Sequence, residues 1–184
     1  MNPTAIYGWL AHAIVFGALL SLLPLGAKRR HIGMAAVPLA LLAGIATLLH
    51  GFAGPPSATL LALAVWQLAS RGASPLGRRP AWLVIGVAMV FYPLALGLGP
   101  FDPYAIGYQP WPLLLACGGL AVALWHCRRN DWLLILALAL AGYAGGLFAN
   151  LWDALLDPLL VLAALAVVVR QRGRRRTAGG VAAG

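Results

Sequence analysis

Glutamate is absent from this chain, and the only acids are Asp102, Asp131, Asp153 and Asp157. Charged residues of both signs make up 9% of the 184 residues and apolar types 62%. So few polar groups cannot clothe a water-facing domain of this length, which excludes a soluble globular fold. Cysteine is nearly missing too. Cys117 and Cys127 share one apolar segment, ~15 Å apart along a helix rising ~1.5 Å per residue, too far to bridge. Both read as small buried apolar residues. No His-x-x-His, His-x-x-x-His or Glu-x-x-His spacing occurs, nor any nucleotide-binding, phosphate-loop, metalloprotease or serine-nucleophile motif. No cofactor and no metal is expected.

What the chain does have is hydropathy, a mean of +0.87, with thirteen Lys and Arg set at intervals. Lys28, Arg29 and Arg30 form one cluster, Arg71, Arg78 and Arg79 a second, Arg128 and Arg129 a third, and Arg170 to Arg176 a fourth. About 40 residues separate successive clusters, enough for two helices of ~20 residues to cross a ~30 Å hydrocarbon core and return. All clusters then share one side, and the positive-inside rule makes it cytoplasmic. Asp102, Asp153 and Asp157 fall on the opposite side. The net charge of +9 and pI near 10.8 do not point to nucleic acid, because no basic face is interleaved with aromatics. A cleavable signal peptide is not expected either, since the first charges follow the first apolar run.

The predicted fold is an all-α integral membrane protein, a compact bundle of about seven transmembrane helices with the N-terminus outside and the C-terminus cytoplasmic. Residues 1–170 form the polytopic domain and 171–184 a basic tail expected to be disordered. The expected spans run from Ala5 to Gly26, Gly33 to Gly51, Ala58 to Ser70, Ala81 to Leu98, Trp111 to Cys127, Trp132 to Ala149, and from within Asn150 to Pro158 to Val169. The third is short. A competing reading makes segments 33–51 and 58–70 a re-entrant hairpin dipping in from the cytoplasm.

Candidate functional residues gather on the outer side. Asp153 and Asp157 are four apart, so on a continuous helix their carboxylates share a face, and such a pair can split into acid and base. Asp157-Pro158 also reads as a helix N-cap with Pro at the first helical position, a role Asn would fill nearly as well. His12 and His50 lie in the outer part of the bilayer, where an ionisable side chain is a functional candidate by default. With Asp102 and Asn150 these residues form the candidate ligand-binding or proton-relay set, and Tyr104, Tyr108 and Trp152 are the aromatic candidates of the outer loops. Polar packing, capping and interfacial anchoring are the structural alternatives for each. Gly142 and Gly146 suit close helix packing within the chain or against another copy. Arg172, Arg174, Arg175 and Arg176 sit where anionic headgroups would attract them.

The run Gly145-Gly146-Leu-Phe-Ala-Asn150-Leu-Trp-Asp153 resembles the Gly-Gly, Asn and Asp run of lipoprotein signal peptidases. The likeness spans nine residues, lacks a matching second Asp motif and carries no residue assignment over. The expected function is a noncatalytic component of a bacterial inner membrane, handling lipid or serving assembly or transport, with a polar binding surface at its outer face. Its expected partners are membrane lipids, anionic headgroups included, and a membrane-protein partner or a second copy, without nucleic acid. The alternatives are a small proton-coupled transporter and a membrane-embedded hydrolase or transferase using Asp153 and Asp157 on a lipid-linked substrate.

Overall fold

The computed structural model describes residues 2–23, 25–70 and 74–181, with side chains as far as Arg170. It is all-helical, with 76% of residues in helix and no strand among the described residues. The helices are α1 (Pro3–Leu20), α2 (Arg29–Leu42), α3 (Ile45–Ala53), α4 (Ala58–Ala69), α5 (Arg78–Ala95), α6 (Trp111–His126), α7 (Asn130–Ala144), α8 (Leu151–Leu155) and α9 (Pro158–Val181). Helix α9 continues beyond Val169, the end of the last span expected from the sequence. The side chains of Arg172, Arg174, Arg175 and Arg176 lie outside the described residues.

Two helices, Pro3–Leu20 and Leu151–Arg170 counted through its break, are long and apolar enough to cross a membrane. A third crossing results if α2 and α3 count as one span. That pair corrects the straight second span read from the sequence: it bends by 77° at Gly44, whose φ of 73° suits a residue without Cβ. Helices α4, α6 and α7 are shorter apolar helices. At ~1.5 Å per residue they reach ~18 to 24 Å, less than a ~30 Å core. Local chemistry sets these ends. Ser57 caps α4 by accepting from Leu60 N at 3.1 Å, and Ser70 leaves the helix in extended backbone.

Packing follows small residues. Helix α1 lies against α2, α3 and α4; α5 packs on α9, α4 on α7 and α8, and α6 on α7. A Cβ on Gly33 would stand 2.7 Å from Gly17 O, so the backbones of α1 and α2 touch. Small residues that allow such approach are the main source of helix association in lipid. Gly142 meets the Ala58 side chain of α4 and Phe148, a partner within the chain. Gly146 departs from its predicted role: it lies past the end of α7 at φ 75°, with no neighbour within 4 Å of a built Cβ. It makes a turn. Cys117 is buried as expected, but Cys127 is exposed at the end of α6.

The largest core cluster joins α1, α4, α5, α7 and α9 through residues such as Leu63, Phe91, Ile135 and Leu160. Outside it the apolar surface continues. Phe52 is 93% exposed and Leu42 86%, and exposed apolar surface of this kind marks a face that meets a partner or a membrane.

Candidate functional site

The polar residues at the acidic end fall into two constellations, and the first is centred on Asp157. The chain breaks helix at Leu156, which is extended at φ −140° and ψ 131°, and Asp157 opens α9. One carboxylate oxygen accepts from Leu160 N at 2.6 Å and the other from Ser57 N, a hundred residues earlier in the chain. Asp157 therefore caps its own helix and fastens the start of α4 to it. Beside this joint Tyr7 OH donates to Pro56 O at 2.9 Å. Tyr7, His12 and Tyr92 all lie within electrostatic reach of the Asp157 carboxylate.

The second constellation latches the loop between α5 and α6 onto α8. Asn150, fully buried, accepts from Trp152 N at 2.9 Å as the cap of α8 and donates from Nδ2 to Tyr104 O at 3.0 Å. Trp152 Nε1 donates to Pro103 O at 2.8 Å, and its ring lies 4.5 Å from Phe91. Tyr104 OH donates to both oxygens of Asp153, at 3.2 and 3.1 Å. Burial, then the hydrogen bond with Tyr108 and the nearby Asp153 charge, push the Tyr104 phenol above its ordinary value, so it remains a donor. Asp102 is exposed and accepts from Tyr104 N at 2.9 Å, shaping the turn from within. Tyr108 stacks edge-on against Tyr104.

The six candidate polar residues thus do not form one pocket. Asp153 and Asp157 have separate hydrogen-bond partners because the break at Leu156 interrupts the helix on which they would have shared a face, although Tyr92 lies near both carboxylates. Asp102 faces solvent. His12 and His50 do come together, with ring centroids 6.0 Å apart. His12 is 2% exposed and its Nδ1 bonds to Gly8 O at 2.9 Å. A carbonyl only accepts, so Nδ1 carries the proton. That leaves His12 Nε2, like His50 Nδ1, buried without a hydrogen-bond partner among the described residues. Among the described residues no group of three or more His, Cys, Asp or Glu is placed to hold a metal.

No protein-family model, curated protein or solved structure matches the chain.

Sequence reasoning missed one sizeable cavity altogether. It measures about 550 Å³ and opens between α5 and α6, two helices without substantial contact with each other. Leu83, Val84 and Val87 of α5 form one wall, Leu113, Cys117 and Leu120 of α6 the other, with Ile135 and Leu160 at the back. Trp152 closes one end, directly beneath the latched loop, while Pro80, Arg129 and Trp132 frame the other. Only the unequal spacing of the helices makes it, and no local motif reports that.

Proposed function

We propose that the protein is a noncatalytic, multi-pass component of a bacterial inner membrane that holds a lipid chain in the groove between α5 and α6. The observation that carries this reading is the apolar cavity of about 550 Å³ bounded by α5, α6, α7 and α9. A groove of that size with walls of Leu, Val and Ile offers a chain of methylenes dispersion contact along its length, with Arg129 at its mouth and Thr59 as the polar side chains of its lining. Seven crossings, with short α4, α6 and α7 thinning the bilayer around them, account for the placement of the basic clusters. The outer loop, pinned on Trp152, is the groove's roof.

The competing classes have less to stand on. A hydrolase needs its two carboxylates at one reacting centre, and here Asp157 is engaged by two backbone amides while Asp153 takes a phenol. A proton carrier needs a polar path. The orphan nitrogens of His12 and His50 sit at the acidic end alone, above a core of Leu, Ile and Val.

Lipid retained through purification tests the reading. The full chain taken from membranes into mild detergent is expected to keep about one lipid per chain by mass spectrometry. Leu120→Trp, which fills the groove from a side chain 51% exposed, is expected to reduce retention about tenfold, the effect of ~1.4 kcal/mol of lost binding. Equal retention in both proteins would remove the groove as the binding place.

The topology has its own check. Reporters active only outside the cytoplasm are expected to work when inserted at Pro55 and Tyr104 and to fail at Ser74 and after Arg176. Outer-side activity at Ser74 would overturn the seven-span arrangement. Loss of activity at Pro55 alone would make the bent pair α2 and α3 part of a re-entrant hairpin.

A further inference from the structure

We infer that the groove selects an anionic phospholipid of the cytoplasmic leaflet, its acyl chain between α5 and α6 and its phosphate at the basic mouth. This inference rests on the groove being a lipid site and adds which lipid and which way up.

The mouth is built by two turns that the fold brings together. Trp132 at the start of α7 donates from Nε1 to Pro75 O at 3.3 Å, tying the α6–α7 turn to the segment that leads into α5. Pro80 and Arg129 accordingly frame the same opening. Arg129 lines the opening itself, and Arg78 and Arg79 immediately precede Pro80 as Arg128 precedes Arg129, so the two turns joined at this end of the cavity carry four Arg between them. Asp131 is the acid at this place. Arg129 grips it with Nε and Nη2 at 3.1 and 2.9 Å, which leaves other Arg129 N–H donors uncommitted to that carboxylate. Four Arg against one Asp leave the two turns with a balance of three positive charges.

Two backbone features point the same way. Helices α5 and α7 both begin here; Gly77 gives the first-turn amides of α5 no side-chain cap, whereas the Asp131 carboxylate takes first-turn amides of α7. The positive end of the α5 dipole is thus left for an anion at the opening. Arg128 has φ 56° and is the one non-Gly residue of positive φ among the described residues. Glycine would adopt that conformation without strain. The chain instead places a long cation there. A carboxylate or phosphate would satisfy these donors, and a phospholipid supplies the phosphate together with the acyl chain that fills the apolar groove behind them. Basic pockets between spans on the cytoplasmic side recognise anionic headgroups in just this manner. The opposite end, closed by Trp152 under the latched loop, offers no comparable cations.

Delipidated full-length protein in neutral detergent, exposed to equimolar phosphatidylglycerol and phosphatidylcholine with identical chains, provides the test. The bound ratio is read by mass spectrometry. Wild type is expected to favour phosphatidylglycerol strongly. The triple variant Arg78→Gln, Arg79→Gln, Arg128→Asn should lose about fivefold in that ratio per cation removed, with total bound lipid unchanged. Asn is chosen because it tolerates positive φ, and Arg129 with Asp131 is left intact. Lys28→Gln with Arg29→Gln removes two charges elsewhere on the basic side and should leave the ratio alone. Bound lipid without a preference in wild type would overturn this inference while sparing the groove, whereas no bound lipid at all would remove the groove reading itself. A preference lost equally in the Lys28 and Arg29 variant would reduce the effect to general surface charge and overturn the assignment to the mouth. A dimer that excludes lipid would put a second copy in the groove and would remove the lipid site together with its selectivity.

Discussion

Asp157→Ala is expected to destabilise the protein by ~2–6 kcal/mol, because it strands two buried backbone donors at ~1–3 kcal/mol each. The donors are Ser57 N and Leu160 N, and neither has water at hand as a substitute: Ser57 is fully buried and Asp157 only 8% exposed. Low local dielectric places the effect toward the upper end of that range. The geometry also corrects an expectation drawn from the cap alone, that Asn would serve nearly as well. Asp157 accepts with both oxygens, whereas Asn offers one acceptor and sets its amide group against the second N–H. Asp157→Asn should therefore fall between wild type and Ala, losing ~1–3 kcal/mol. Unfolding followed by tryptophan fluorescence in mixed micelles of rising SDS content measures all three. An Asn variant as stable as wild type would show that the joint between α4 and α9 contributes nothing.

Much of this is written locally in the chain. The absence of Glu and the scarcity of charge make the apolar, helical class legible, and Asp157-Pro158 announces a helix start because a short polar side chain satisfies first-turn amides within three residues; the caps at Ser57 and Asn150 emerge only in the structure. What is not legible depends on distant partners. Gly44 could have been another small residue in a span; only its positive φ turns α2 and α3 into a bent pair. The split of Asp153 from Asp157 follows from the break between α8 and α9, where periodicity alone predicts one continuous face. Gly17 and Gly33 lie sixteen residues apart in no recognised motif, yet bring two helix backbones into contact, while the conspicuous Gly142-x-x-x-Gly146 has one member at a packed face and the other in a turn. Register across helices decides such matters, and a single chain's pattern does not carry it.

Gly107→Ala is expected to unlatch the outer loop, although Gly107 has no unusual φ and Ala suits its backbone. The obstacle is proximity. A Cβ there would overlap Asn150 Oδ1 and lie 2.6 Å from Asn150 Cγ and 2.9 Å from Trp152 Cδ1. Asn150 cannot retreat without giving up Trp152 N and Tyr104 O, and Trp152 is wedged against Phe91 and bonded to Pro103 O. The loop must lift instead, breaking the bonds from Asn150 to Tyr104, from Trp152 to Pro103 and from Tyr104 to Asp153, at a combined ~3 kcal/mol if each contributes ~1. Cleavage of a latched loop tracks its open population, so chymotrypsin cutting at Tyr104 and Tyr108 in the nanodisc-held protein should accelerate about a hundredfold. Gly99→Ala supplies the control within the same loop. Its Cβ meets only the end of the Leu94 side chain, which can swing aside, so cutting should change little. Asn150→Ala breaks the same latch from the other side. Combined with Gly107→Ala it should add far less than its own effect, since the two act on one element. Full additivity, or a Gly107→Ala loop as resistant as wild type, would mean that the loop is held by something other than Asn150 and Trp152, and the groove would then lack the roof assigned to it.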